Sequence, residues 1–351
     1  MRYAVGMSGG VDSSVAALLL KERGHEVVGI TMKLWREGVY KGGDRDACFG
    51  AHEVEDIATA RALAEKLGIE YRVFDCFDVY NREVIQYFRE TYLAGRTPNP
   101  CVRCNAMLKF GLLPRLAKAA GLAFDKFATG HYARIVERGG RLAVAQARDE
   151  SKDQSYFLYR LTQEQLATSE FPLGDCTKAE VRRLAAARGL AVADRPDSQD
   201  FYSGDKNELI GETDREGDIV DLSGRVLGRH RGFWHYTVGQ RKGLGIGGGT
   251  PFYVVDLNAC RNHVVVGRAD DAVRTSLEVS DMVYGALAPG HAEPVPCRVK
   301  VRSAGAPRGP ATLCGNRCEF PEGIAGVAPG QSAVFYAADS GEILAGGIIA
   351  A

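Results

Sequence analysis

Two hydrophobic periods alternate along the first 130 residues. Residues 2–6 and Glu26 to Leu34 are near-continuous apolar runs, as expected of strands buried on both faces. Tyr71 to Phe74 and Phe124 to Thr129 read the same way. Between them, Ser13 to Arg23, closed by Gly24, and Val54 to Leu67, with Gly68 just beyond, carry helical spacing. A further helix runs to about Tyr92, and another covers about Cys104–Ala120 after the turn-rich stretch from Gly95 to Pro100. This βαβαβαβ order predicts an α/β fold, a doubly wound parallel sheet with right-handed crossovers.

Beyond about Lys206 the helical period stops. Glycines crowd together (Gly239, Gly243, Gly245, Gly247, Gly248, Gly249), and short alternating strands take over. Phe252–Asp256, His263–Val266, Cys297–Val301, Ser332–Tyr336 and Ile343–Ile349 are the clearest of these. The pattern predicts a first domain at 1–206, a small β-rich module at 207–270 and a barrel-like β module at 271–351.

Composition narrows the function classes. Of 351 residues, 45% are hydrophobic and 25% charged, which excludes a disordered or fibrous chain. No apolar run approaches the roughly 18 residues of a membrane span. The chain enters a strand at once, without a signal-peptide core, and its nine cysteines are odd in number and scattered. A reducing, cytoplasmic setting with no membrane partner is the expectation. Lys+Arg and Asp+Glu both total 44, so no global field selects a polyanion. Local segregation does point that way. Arg96–Phe124, Ser223–Gly245 and Pro294–Cys318 contain basic residues and no acid, and the second also holds Phe233, Trp234 and Tyr236. Three such stretches tilt the reading toward RNA contact.

The first chemical motif is Gly6-Met7-Ser8-Gly9-Gly10-Val11-Asp12-Ser13-Ser14, between the first strand and the first helix. Consecutive glycines and a helix N-terminus make an anion cradle, and Ser8, Ser13 and Ser14 can donate to phosphate oxygens. Asp12 suits that neighbourhood if a divalent cation bridges it to phosphate. The loop lacks a Walker lysine and is no G-x-G-x-x-G. Its S-G-G-V-D-S string is the signature of the PP-loop ATP pyrophosphatases, which cleave ATP between its α and β phosphates. Gly130 and His131 end the fourth strand, at the edge where doubly wound sheets bind ligands. Met32 ends the second strand and suits either adenine contact or core packing.

The second motif is Asn99-Pro100-Cys101-Val102-Arg103-Cys104. Asn99 and Pro100 fit an N-cap and first helical residue, which puts both thiols on one face of the first turns. The helix N-terminus and Arg103 are expected to lower the thiol pKa. The C-x-x-C spacing alone leaves a redox pair, half a zinc site or iron–sulfur ligation open.

Taken together these strings resemble the tRNA-specific 2-thiouridylases, the MnmA/TrmU family. The resemblance also rests on Ala128–Tyr132, Lys152–Leu158, Thr237–Gly245 and Pro329–Tyr336, and spans essentially the whole chain. It implies that ATP, with Mg2+, adenylates the C2 oxygen of a wobble uridine, and that a cysteine-borne sulfur then displaces AMP. It places nucleotide contacts at Gly6, Met7, Ser8, Gly9, Gly10, Val11, Asp12, Ser13, Met32 and Gly130. Cys104 falls on the nucleophile. Asn99, Pro100 and Cys101 fall on the stretch that meets the target base. His131, Lys152, Asp153, Gln154 and Gln331 fall on tRNA contacts, as do Arg302 and Ser303, and the last module is expected to bind tRNA.

The chain departs from the family in one string. The better-known members carry a second, persulfide-bearing cysteine in D-S-x-G-I-C-F, where this sequence has Asp197-Ser198-Gln199-Asp200-Phe201-Tyr202-Ser203-Gly204, with Tyr202 at the thiol position. Cys101 and Cys104 are therefore expected to act as a pair. Either they alternate as carrier and resolving thiol, or they ligate an iron–sulfur cluster with Cys48 or Cys76 as a third ligand. The sulfur source is a donor protein or inorganic sulfide. Two other functions fit parts of the sequence: a small-molecule adenylating ligase, and a non-catalytic RNA-binding or sulfur-carrier protein.

Overall fold

The computed structural model describes residues 1–42, 47–193, 195, 197, 200–202, 204–247, 249 and 251–350. Ser198, Gln199, Ser203 and Gly248 lie outside the described residues. The chain divides into two compact units. One comprises Met1–Val84, Pro100–Lys206 and Gly341–Ile343, the other Ile85–Asn99, Asn207–Ser340 and Leu344–Ala351.

The strands of the first unit are β1 (Arg2–Gly6), β2 (Glu26–Lys33), β3 (Ala47–Phe49), β4 (Glu70–Asp75), β5 (Lys126–Thr129), β6 (Arg134–Arg138), β7 (Arg141–Ala145), β8 (Ser169–Glu170) and β9 (Asp200–Tyr202). Five of them form one sheet in the order β4-β2-β1-β5-β8, with parallel pairing throughout. Ala4, Val5, Val28 and Ile30 are fully buried, and helix Val11–Glu22 packs Val15, Ala16, Ala17 and Leu20 into one core with Val5 and Val27. Apolar runs in β1 and β2 thus mark strands covered on both faces. The chain leaves β1 in one direction to β2 and returns on its other side at β5. That reversal opens a crevice at the carboxyl ends of β1 and β5, and the glycine-rich loop and Gly130 both lie there.

Two smaller ribbons complete this unit. β6 and β7 form an antiparallel hairpin, and β3 pairs in parallel with β9, Ala47 facing Asp200 and Phe49 facing Tyr202. The short two-stranded ribbons carry too few alternating residues to be visible in the sequence pattern.

The helix expected near Cys104 begins earlier, at Pro100, and runs to Cys104. It then widens into a π-helical stretch, Asn105–Leu112, before resuming as Leu113–Ala119. Such π segments recur at functional sites.

The second unit contains helix Gln86–Leu93 and the strands β10 (Gly217–Asp221), β11 (Val226–His230), β12 (Tyr253–Asn258), β13 (His263–Gly267), β14 (Val273–Tyr284), β15 (Val295–Lys300), β16 (Arg308–Cys314), β17 (Arg317–Ala325), β18 (Ser332–Ala337) and β19 (Ile343–Ile349). The first four form a sheet in the order β11-β10-β13-β12. The last six close into a barrel, β14-β17-β16-β15-β18-β19, filled by Leu277, Val299, Leu313, Phe320, Phe335 and Leu344. Closure removes the exposed strand edges that a six-stranded sheet would otherwise leave.

Candidate active site

The glycine-rich loop is built to leave backbone donors open. Gly9 has φ +74, and a Cβ there would lie 2.5 Å from the Asp56 carbonyl oxygen, so only glycine fits. Gly10 is the N-cap of a 12-residue helix and offers no side-chain cap, which leaves the first N–H groups for an anion. Gly6 ends β1, and Thr31 Oγ1 donates to the Met7 carbonyl (2.6 Å), holding the loop to β2. Ser8 and Ser13 hydroxyls lie 3.3 Å apart, and Val11 packs into the core behind them. Ser14 does not fit the phosphate role expected of it. It is fully buried, and its hydroxyl donates to the Gly10 carbonyl (2.6 Å), so it supports the turn. Gly130 lies against the loop, where a Cβ would sit 2.5 Å from the Ser13 nitrogen. Met32 is half-buried at the end of β2.

Asp12 meets a protein cation. Lys178 Nζ stands 2.7 and 2.8 Å from its two carboxylate oxygens and 2.6 Å from Asp197, while the Tyr132 hydroxyl donates to Asp12 at 2.9 Å. Lys152 completes the chain at 2.8 Å from Asp197. Burial by itself would raise the Asp197 carboxyl, but the two ammonium groups hold it below the usual range. Lys178 is almost wholly buried. It lies far along the sequence from the loop, beside no recognisable string, which is why the sequence did not single it out.

Arg195 clamps the loop from another side. Its guanidinium donates to the Gly9 carbonyl (3.0 Å) and pairs with Asp56.

Cys101 and Cys104 lie one turn apart on helix Pro100–Cys104, both partly exposed as residues. The expectation of a lowered thiol pKa is corrected at Cys104. Burial of the sulfur pushes it up to about 12, and a nearby Lys109 opposes this only in part. Arg103 does not help, because its guanidinium turns to Glu83 (3.1 Å). Cys76 is likewise pushed up to about 12 by burial. Among the described residues no three His, Cys, Asp or Glu side chains gather as a metal-binding group, and no step is derived through a cluster.

Tyr202 is buried, packs against Phe49 (5.8 Å between rings) and accepts from the Gly42 amide (3.3 Å). It is a core residue where a thiol was sought. Cys48 of β3, expected from the sequence only as a possible third cluster ligand, lies on the facing strand, exposed, with its Sγ 3.8 Å from the Phe201 carbonyl.

The residues expected to meet tRNA are spread over both units. In the first, the His131 ring packs on Phe110 (5.8 Å) and Phe171 (6.2 Å), with Nδ1 2.7 Å from Thr129 Oγ1. Burial drives its pKa well down, so the ring is neutral. Gln154 accepts from the Tyr132 amide (3.0 Å), and Asp153 accepts from Ser155 and the Ala147 amide, so both brace the turn after β7. In the second unit, Gln331 donates to the Pro98 carbonyl (3.0 Å), and Asn99 donates to Gln331 (3.4 Å). Gly330, φ +89, lets this string approach, since a Cβ would lie 2.9 Å from the Thr97 carbonyl oxygen. Arg302 and Ser303 lie exposed in the loop after β15.

Folding redistributes the basic stretches. Arg225 pairs with Asp221, Arg229 with Asp218 and Glu216, Arg231 with Asp214, and Arg317 with Glu278 and Glu319. Most of these acids lie just outside the acid-free stretches, on the same hairpin or strand, and the fold turns them back onto the arginines. Lys109, Arg115, Arg241, Lys242, Arg302 and Arg308 have no acidic partner among the described residues, so the positive surface is narrower than the sequence suggests.

Three family profiles match consecutive parts of the chain: a tRNA methyl transferase HUP domain over residues 1–202, a tRNA methyl transferase PRC-barrel domain over 207–268, and an aminomethyltransferase beta-barrel domain over 274–349. Similar curated proteins include the tRNA-specific 2-thiouridylase MnmA of Endomicrobium trichonymphae, 44% identical over 359 residues, covering 99% of both chains. That of Moorella thermoacetica is 46% identical over 360 residues, covering 98% of this chain and 97% of the relative. That of Geobacter metallireducens is 44% identical over 359 residues, covering 99% and 96%.

Proposed function

The chain belongs to the tRNA-specific 2-thiouridylases, and from that premise we propose that it uses ATP to replace the C2 oxygen of a tRNA wobble uridine with sulfur. It is a sulfur-group transferase acting on tRNA. The observation that carries the finer reading is the open anion cradle at the switch point of the sheet, with Lys178 buried against Asp12. The small-molecule ligase reading gives the two C-terminal β modules no task and is set aside. We further propose three working domains, 1–206 for nucleotide and chemistry, 207–270 as an adaptor and 271–351 for holding tRNA.

In this reading the N–H groups of Gly9 to Asp12, the Ser8 and Ser13 hydroxyls and the helix N-terminus bind the phosphates. Lys178 compensates Asp12, so the cradle stays attractive to an anion. Gly6, Met7 and Gly130 shape the pocket walls, and Met32 lies beside the base. Magnesium carried in with ATP would offset phosphate charge, and Asp12 would hold it by sharing a carboxylate oxygen that Lys178 engages. The uridine C2 oxygen attacks the α-phosphorus and pyrophosphate leaves, making that oxygen part of a good leaving group. Sulfur then adds to C2, and AMP departs with the oxygen.

Cys104 supplies the nucleophilic thiolate, acting on C2 itself or on the S–S link to a sulfur carrier, and Cys101 is its neighbour at the target base. A neutral thiol at rest is compatible with this. Negative charge on the sulfur develops as it attacks, with Lys109 the nearby cation that favours it. Asn99, Pro100 and His131 line the approach of the base, while Lys152, Asp153, Gln154, Arg302, Ser303 and Gln331 act on the tRNA, the braced ones by holding backbone in place. Reading one base in a loop requires it to be unstacked and turned outward.

The experiment is nucleoside analysis of tRNA after incubation with the protein, ATP, magnesium and a sulfur source. The expected product is 2-thiouridine at the wobble position, with one AMP per sulfur. ATP turnover without any thiolated nucleoside would refute the reading.

A further inference from the structure

The fold leaves one gap in the chemistry: Tyr202 occupies the position of the carrier thiol, yet sulfur transfer to an activated carbonyl carbon needs a thiol that can be loaded from outside. The β3–β9 ribbon brings a candidate to that position. Its register, Ala47 to Asp200 and Phe49 to Tyr202, sets Cys48 opposite Phe201, with its Sγ 3.8 Å from the Phe201 carbonyl. Side chains alternate along a strand. Ala47 and Phe49 therefore face the core, and Cys48 faces out.

The ribbon is tied to the thiol-bearing helix through residues 80–83: Phe49 packs on Tyr80, and one turn further on Glu83 pairs with Arg103 (3.1 Å) beside Cys104. Phe49 packs on Tyr202 (5.8 Å) and on Tyr80 (4.9 Å). Tyr80 in turn lies within the electrostatic reach of Cys48, Cys101 and Cys104, and a charge on Cys48 is felt at Cys104. Exposure then separates the roles. A donor protein must touch the thiol it loads, and Cys48 is exposed, Cys101 and Cys104 are partly covered, and Cys76 is buried.

We propose that Cys48 is the sulfur carrier of this chain and Cys104 its resolving partner, the facing strand supplying the thiol that Tyr202 does not. This rests on the thiouridylase reading. The Cys48 thiolate attacks the outer sulfur of a donor persulfide, the donor thiol leaves, and Cys48 carries a persulfide. Its terminal sulfur attacks C2 of the adenylated uridine, and AMP leaves with the former C2 oxygen. Cys104, as thiolate, attacks the Cys48 sulfur of the resulting S–S link. The thiolated base is released, and a Cys48–Cys104 disulfide remains. A small dithiol supplies the two electrons and two protons that restore both thiols.

The test uses the full chain and inorganic polysulfide as the donor. After brief exposure and alkylation, peptide mass analysis should find the extra sulfur on Cys48, both in the wild-type chain and in Cys101→Ser. In Cys104→Ser, turnover with ATP and tRNA should stall with tRNA held to Cys48 through a reducible bond. In the wild-type chain without reductant, a Cys48–Cys104 disulfide should accumulate once per tRNA thiolated. Cys48→Ser, on an exposed strand position, should melt with the parent and still bind ATP while losing at least about tenfold in thiolation, about 1.4 kcal/mol of barrier. Sulfur found only on Cys101 or Cys104, or full thiolation by Cys48→Ser, overturns the assignment, as does stoichiometric iron bound through Cys48. A loaded Cys48 in a protein that makes no thiouridine would instead defeat the thiouridylase reading and leave the carrier in place.

Discussion

Lys178 Nζ lies 2.7 and 2.8 Å from the two carboxylate oxygens of Asp12, although 166 residues separate them in sequence. A loop that binds phosphate gains nothing from an aspartate at its helix start unless a cation stands beside it. Here the cation is a buried ammonium that also holds Asp197. Removing it leaves Asp12 without its cation and Asp197 with Lys152 alone, in a poorly solvated place, which is costly. Lys178→Met is expected to weaken ATP binding by at least about tenfold, or about 1.4 kcal/mol. tRNA binding should be far less affected. Equilibrium binding of a labelled ATP analogue and of tRNA checks this, and equal losses for the two ligands would show that the residue merely supports the fold.

Cys104 should behave as a protonated thiol in the ligand-free protein. With burial raising its pKa to about 12, iodoacetamide should label Cys104 slowly at pH 8 and progressively faster as pH approaches that value. Lys109→Met removes the one opposing charge and should push the profile further up. The measurement is the site-resolved alkylation rate against pH. Rapid labelling at pH 7 would mean that the thiol is activated before substrate arrives.

Acid should destabilise the first unit in two stages. His131 is held neutral, so the folded state binds fewer protons than the unfolded chain once pH falls below about 6.5. Its contribution is present above that value and lost below it. The Asp197 carboxyl is depressed by Lys152 and Lys178, so its contribution is present above about 3.9 and lost as pH falls through its lower folded value. Denaturant melts from pH 7 to pH 5 should show a smaller decline in His131→Phe, which keeps the stacking on Phe110 and Phe171. An unchanged decline would assign the acid sensitivity to other groups.

Gly330 permits the 329–332 string to sit on residues 96–99 with positive φ and no room for a methyl. Gly330→Ala should cost the second unit about 1–3 kcal/mol from backbone strain alone. Gln331→Ala, which keeps the backbone path but removes the contacts to Pro98 and Asn99, should lower the rate of thiolation more than stability. Thermal melting together with single-turnover kinetics separates the two. A Gln331 variant that melts early but reacts normally would make that residue a structural tie only.

Binding to tRNA should weaken with salt, but gently for a chain with so many arginines, because several are already paired with Asp or Glu. Each phosphate contact contributes a slope of about −0.7 to −0.9 in log K against log salt. Arg302→Ala and Arg241→Ala should each reduce the slope by about one contact, whereas Arg229→Ala should not. A slope that responds equally to all three would mean that the arginine–acid pairs open on binding.

The sequence by itself determined the parallel sheet, the phosphate loop and the thiol helix, because each is written in local patterns. Buried strands read as apolar runs, a nest for anions needs adjacent glycines, and a helix start favours Asn-Pro. The order and content of the motif strings also carried the family. Tertiary structure alone decided how charges and thiols meet. Lys178 reaches Asp12, Arg195 reaches Gly9, and Cys48 stands beside the strand of Tyr202 through contacts between residues distant in the chain. The pKa of Cys104 was read wrongly for the same reason: helix position and a neighbouring arginine are local, whereas desolvation depends on everything that folds around the sulfur.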